Sequence, residues 1–215
     1  MDMNFLNTST LYIIEGIGVT LQYTLVALIL GAIIGSMISL CRISHIKMLK
    51  IFASIYTSVF RGTPLLVQLS LIYFVVPSLG YNITVFESGI AAFSLNSAAY
   101  VSEIIRSGIN SVDKGQFEAS KALSLSYYDM MRGVIMPQAL RNILPALVNE
   151  SVNLLKETAI ISVIGGVDIM RRAQTVSEES YDYLAPLITA ACCYYILVLI
   201  FSTFAKIVEN KVKLK

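Results

Sequence analysis

Glu150, Asn153 and Glu157 fall at i, i+3 and i+7, which puts three polar side chains on one stripe of a helix otherwise made of Leu, Val and Ile. A carboxylate in that setting calls for a compensating cation, supplied by a residue on another span or by a bound solute. Asn149 and Lys156 lie on the neighbouring face. The stripe suits the wall of a lined cavity. Packing is the plain alternative, with Lys156 held by a carboxylate. For the adjacent Lys156 and Glu157 a buried pair is expected, whereas Glu150 is the candidate substrate contact.

Arg61 opens the run Arg-Gly-Thr-Pro-Leu-Leu-Val-Gln, in which Pro64 removes one backbone hydrogen bond and opens the helix. Two readings of Arg61 stand. It contacts substrate at a broken helix, or it caps carbonyls freed by the break. Glu103 and Arg106 are three residues apart and can pair with each other. Arg106 lies near a span end, where snorkelling accounts for it. Catalytic patterns are absent: the sequence has no G-x-S-x-G, no H-E-x-x-H and no G-x-x-x-x-G-K-[ST] phosphate loop. His45, the one histidine, sits in a basic turn. Cys41, Cys192 and Cys193 have no ligand-like spacing and read as small packing residues. Neither a metal nor a cofactor is expected, and the chain does not read as an enzyme.

The elements that position these residues are apolar. Of the 215 residues 56% are hydrophobic and 14% charged, against roughly 25% charged in soluble domains. Mean hydropathy is +0.71. The chain reads as a membrane protein, and a net charge of +2 with dispersed basic residues argues against nucleic acid. Five spans are expected, at about residues 16–41, 51–80, 85–108, 143–167 and 184–205. The first and last carry no charge and are long enough to cross about 30 Å of hydrocarbon. The other three hold the ionisable residues above. A charge in the bilayer core costs about 3 kcal/mol on insertion scales, so these residues face protein or a water-filled path. Gly31-x-x-x-Gly35 in the first span permits close helix approach.

Twelve of the sixteen basic residues lie on one side of this arrangement, in the turn Arg42–Lys50, in the long insert with its flanks, and in the tail from Lys206. Arg171 and Arg172 lie on the other. The positive-inside rule then puts the N-terminus outside and the C-terminus in the cytoplasm. The N-terminal Met-Asp-Met-Asn-Phe-Leu lacks a basic region and is not expected to be a cleaved leader.

Residues 110–141 form a charged insert between spans three and four. A structureless loop of about 30 residues would be unusual. This one has helical periodicity, with Ala119, Ala122 and Leu123 at i, i+3 and i+4. On a chain without a motor of its own, a large cytoplasmic insert reads as a docking element for a partner that hydrolyses ATP.

The motifs RGTPLLVQ (Arg61–Gln68), AAYVSEIIRSGI (Ala98–Ile109), GQFEAS (Gly115–Ser120), MPQALRNILP (Met136–Pro145) and NESVNLLKETA (Asn149–Ala159) resemble those of polar amino acid ABC-importer permeases. The insert is similar to that family's EAA loop, whose positions fall here at Glu118, Ala119, Ser120, Ser124, Val134, Met136 and Pro137. The resemblance implies an all-α polytopic membrane protein, with five transmembrane helices and a cytoplasmic coupling helix around a MetI-like permease core, one domain over residues 1–215. It implies a bacterial cell-membrane protein working with ABC ATPase subunits, an extracellular or periplasmic solute-binding protein, a second permease copy or homologue, an amino-acid substrate and the surrounding lipid. Gly115, Glu118, Ala119 and Ser124 are the implied ATPase-coupling residues. Ser124 stands where the family has Gly, so the helix is expected to end other than by a left-handed stop. Glu150 resembles an acidic partner of cationic substrates, and Arg106 matches a family Arg suited to the α-carboxylate; with Arg61 and Asn153 these form the candidate substrate set. A channel or secondary transporter without an ATPase, and an ABC permease for another small solute, are the alternatives.

Overall fold

The computed structural model describes residues 3–213, and every regular element among them is helical. Helix α1 (Met3–Ile43) runs unbroken because no proline interrupts it. It lies along α5 (Val85–Asn110), the central helix, which also packs on α2 (Lys47–Gly62), α3 (Leu65–Ser70) and α8 (Met136–Glu157). The Gly31/Gly35 pair makes the α1–α5 contact possible. A Cβ at Gly31 would lie 2.9 Å from Ser97 Cβ, and one at Gly35 would lie 2.7 Å from the Ala98 carbonyl oxygen. Small side chains on α5, Ser94, Ser97, Ala98 and Ser102, complete this seam.

The expected second span is two helices, not one. α2 stops at Gly62, Thr63 and Pro64 are extended, and the chain resumes as α3 at an angle of 104°. α3 passes through a π turn (Leu71–Val75) into α4 (Val76–Ser78). A second π turn (Met131–Ile135) joins α7 (Tyr127–Met130) to α8. Each π turn ends two residues before a proline, Pro77 or Pro137, whose ring displaces the carbonyl four residues back and widens the preceding turn. Thr84 and Glu87 form a reciprocal cap at the start of α5.

The insert carries α6 (Lys114–Ala122) and α7. α8 begins seven residues before the expected span at 143 and ends at Glu157, continuing as a 3-10 turn (Thr158–Ile164). A helix absent from the sequence expectation, α9 (Ile169–Ser180), follows before α10 (Leu184–Lys213). Ile169, Ala173 and Val176 seat α9 against Ile13 of α1, Leu155 of α8, and Ala190, Cys193 and Leu197 of α10. Asp168 caps α9, accepting from the Arg171 N–H at 2.9 Å and the Tyr194 hydroxyl at 2.8 Å, and burial pushes its carboxyl above the ordinary range. Arg172 stacks 4.5 Å over the Tyr12 ring and bonds Glu15 at 2.8 Å, tying α9 to α1.

Among the described residues, Thr8–Ile43 and Leu184–Phe204 are each long and apolar enough to cross a membrane, and the bent pair α2 with α3–α4 would make a third. Their outer faces carry large apolar side chains, including Ile29, Ile33, Met37, Ile196, Ile200 and Phe204. In water that exposure would be costly, whereas hydrocarbon accepts it.

Candidate functional site

The polar residues of the spans gather in three places along α5. At the break between α2 and α3, backbone carbonyls lose their helical partners and no bilayer water can replace them. Gln68, one turn into α3, reaches back to bond the Phe60 carbonyl at 2.9 Å, the Thr63 carbonyl at 3.0 Å and the Thr63 hydroxyl at 2.9 Å. Asn96 of α5 donates to the same Phe60 carbonyl at 3.1 Å and to Gln68 Oε1 at 3.0 Å. Both amides are buried. The capping role left open for Arg61 therefore belongs to Gln68 and Asn96.

Arg61 turns instead towards Glu103. Its Nη1 stands 3.6 Å from Glu103 Oε2, and its guanidinium lies 5.4 Å over the Tyr100 ring. Glu103 is bonded more closely by Arg42 of α1 and by Arg106 one turn along α5. One carboxylate thus joins arginines from three helices. The expected Glu103–Arg106 pair is present, but it is one part of a larger hub. Arg61, Glu103, Ser107, Ser111 and Asn142 face a cavity of about 650 Å³.

Glu150 is 8% exposed and accepts one hydrogen bond, from Ser97 of α5 at 3.0 Å. It makes no salt bridge among the described residues. The stripe expected to run through it is divided: Glu150 is buried, Glu157 is partly buried and Asn153 is exposed. The buried pair expected for Lys156 and Glu157 does not form, since Lys156 is exposed and makes no salt bridge among the described residues. Adjacent helical residues point about 100° apart, so adjacency does not make partners. Among the described residues no group of His, Cys, Asp or Glu could hold a metal.

The insert is built as a projecting platform. The Asp113 carboxylate caps α6 by accepting from the Gly115 N–H at 2.6 Å. Phe117 packs into a cluster of Val112, Met130, Ile135, Ala139 and Ile143, which fastens α6 to the ends of α5 and α8. Gln138 bonds Gln116 at 3.2 Å. Glu118, Ala119 and Ala122 are exposed, and Leu123 is 74% exposed, so the apolar stripe points away from the rest of the chain. Ser124 corrects the expectation for the end of this helix. It adopts φ 55, its N–H bonds the Lys121 carbonyl at 2.9 Å, and the Leu125 N–H bonds the Ser120 carbonyl at 3.1 Å. This is the left-handed stop normally given to glycine, made by serine.

The sequence model of binding-protein-dependent transport system inner membrane components matches residues 27–214. A Rickettsia typhi protein named for a glutamine transport system permease is 55% identical over 202 residues, covering 94% of this chain and 93% of its own length. The arginine transport system permease protein of Bacillus subtilis is 51% identical over 203 residues, covering 94% and 93%. A chain in the crystal structure of an amino acid ABC transporter with histidines superposes with TM-score 0.93 at 44% identity, covering 98% of this chain and 99% of that one.

Proposed function

This chain belongs to the family of binding-protein-dependent transport system inner membrane components, and from that footing we propose that it forms the translocation path for a polar, cationic amino acid. It is the permease subunit of an amino-acid ABC importer, a transport component rather than an enzyme, and it sits in a membrane. The family implies an ATPase and a solute-binding protein as partners. No comparison favours a channel or an ATP-independent carrier.

The chain crosses the bacterial cell membrane five times, with α2 and α3–α4 together making the second crossing and the N-terminus outside, and it pairs with a second permease. The observation that carries the coupling role is the outward apolar stripe Ala119, Ala122 and Leu123 on a braced insert. Among the described residues nothing covers that stripe, and the sequence lacks a phosphate loop. Glu118 on the same exposed surface supplies a charge that fixes the register of docking. Glu150 supports a cationic substrate, because a buried carboxylate with a single neutral donor has unused capacity for a cation.

Glu118→Arg tests the coupling role. The substitution places the wrong charge on the docking surface but lies outside the hydrocarbon, so membrane insertion should persist. Co-purification of the ATPase subunit should fall severalfold, and uptake of L-arginine or L-glutamine into reconstituted vesicles should fall with it. Normal co-purification and uptake would sink the docking assignment. Orientation is tested by cysteines placed singly at Asn82 and Lys213 in a cysteine-free chain. On intact cells an impermeant thiol reagent should label the first and spare the second.

A further inference from the structure

We propose that the cavity beside Arg61 is a release-side subsite for the α-carboxylate of the transported amino acid, with Arg61 as the group that binds it. The inference rests on the amino-acid reading above and adds to it a second stop along α5.

The hub has three guanidinium groups against one carboxylate, which leaves two positive charges in excess. The three are not equally served. Glu103 Oε2 accepts from Arg42 and from Arg106 Nε, and Glu103 Oε1 accepts from Arg106 Nη2. Arg61, at 3.6 Å from Oε2, is beyond hydrogen-bond range. It makes no hydrogen bond among the described residues, although a guanidinium carries five N–H donors. Tyr100 under its face holds the plane, and the side chain remains 41% exposed on the cavity wall. A planar fork with free donors, excess positive charge and an open space in front is suited to a carboxylate.

The cavity supports the same ligand. At about 650 Å³ it falls in the range of small-molecule sites, roughly 300–1,000 Å³. Ser107, Ser111 and Asn142 offer neutral polar groups to the rest of an amino acid, and Asn142 and Ser111 already bond each other at 2.8 Å. Arg106 is a poorer candidate because Glu103 occupies it and it does not line the cavity. The position also fits release. Tyr100 and Glu103 lie three and six residues beyond Ser97, so the Arg61 subsite is about 5–9 Å along α5 from the Glu150 contact, on the side of the insert.

The test uses the assembled permease–ATPase complex in phosphatidylcholine nanodiscs. Calorimetric titration with L-arginine, L-glutamine and their α-amides reads the carboxylate directly, because the amides keep every other group. The parent complex should bind an acid about tenfold or more tightly than its amide. Arg61→Gln should bring the acid down to the affinity of the amide while leaving the amide unchanged. Arg61→Lys, which keeps charge without the fork, should fall between and serves where the glutamine variant fails to assemble. Equal preference for the acid in the parent and in both variants would overturn the proposal, as would no preference in the parent. Inorganic phosphate that binds through Arg61 while the amino acids do not would assign the site to a lipid phosphate and also overturn it. Binding-protein-dependent uptake by the parent separates the two levels: uptake without acid preference defeats only this subsite, whereas absence of uptake defeats the transport reading.

Discussion

Glu103 and Glu150 meet α5 within two turns of each other, yet their surroundings are opposite. Glu103 is reached by Arg42, Arg61 and Arg106, and so links α1, α2 and α5 through one carboxylate. Among the described residues Glu150 has Ser97 as its one hydrogen-bond partner, and it is the more deeply buried of the two. A carboxylate surrounded by cations already has its charge compensated and acts as a strut. One given a single hydroxyl has its desolvation largely uncompensated, and a binding cation can supply what the fold does not. Under the function proposed above, the contrast separates a structural acid from a recognising acid on the strength of partners, not of position in the sequence.

The largest expected effect follows from removing the strut. Glu103→Gln leaves three guanidinium groups facing one another without their shared anion. Breaking a fully buried pair costs about 3–5 kcal/mol; with Arg61 and Arg106 partly exposed, a loss of roughly 2–3 kcal/mol is expected. It should show as a lower melting temperature of the purified complex and a smaller assembled fraction. An unchanged melting temperature would mean that the three arginines hold nothing together.

Glu150→Gln should do the reverse. It preserves shape and removes a buried charge, so stability should hold or rise. Uptake of L-arginine should fall about tenfold or more, the scale of one charge-assisted contact, and uptake of L-glutamine should fall less. A melting temperature lowered as far as in Glu103→Gln would erase the contrast. Unchanged arginine uptake would make Glu150 a packing residue. Ser97→Ala is the complementary probe: it strips Glu150 of its hydrogen bond and leaves the charge in place, so stability should fall by about 2 kcal/mol, the scale of a hydrogen bond to a charged group.

The same contrast explains what could be read from the sequence. The insert was legible because its signals are local: length, polarity and the spacing of Ala119, Ala122 and Leu123. Pro64 marked the break in the second span for the same reason. The partners of the break were not legible. Gln68 is eight residues from Phe60 and Asn96 is thirty-six, and neither carries a pattern that names the carbonyl it bonds. Arg42 reaches Glu103 across sixty-one residues, so only the Arg106 part of the hub was visible, at helical spacing. α9 was missed because its polar composition masked the apolar spacing of Ile169, Ala173 and Val176, though Asp168 before them is an ordinary cap signal.

The smallest expected effect comes from Ser124, which involves no charge and so calibrates the other variants. A left-handed conformation costs a residue with a Cβ about 1–2 kcal/mol, and glycine avoids most of that cost. The backbone bonds from Ser124 to Lys121 and from Leu125 to Ser120 do not involve the side chain, so Ser124→Gly should keep the helix stop and relieve the strain. Glycine also gains freedom in the unfolded chain, which offsets part of the gain and leaves about 0.5–1 kcal/mol. For a chain of this size that is a rise of about 1–4 °C, with ATPase co-purification intact because Glu118 and Ala119 do not move. Ser124→Val should shift the melting temperature the other way, since a β-branched residue tolerates this conformation least. Equal melting temperatures for the glycine and valine variants would show that residue 124 is not held left-handed. The exposed stripe of α6 would then need a different stop to set where it points.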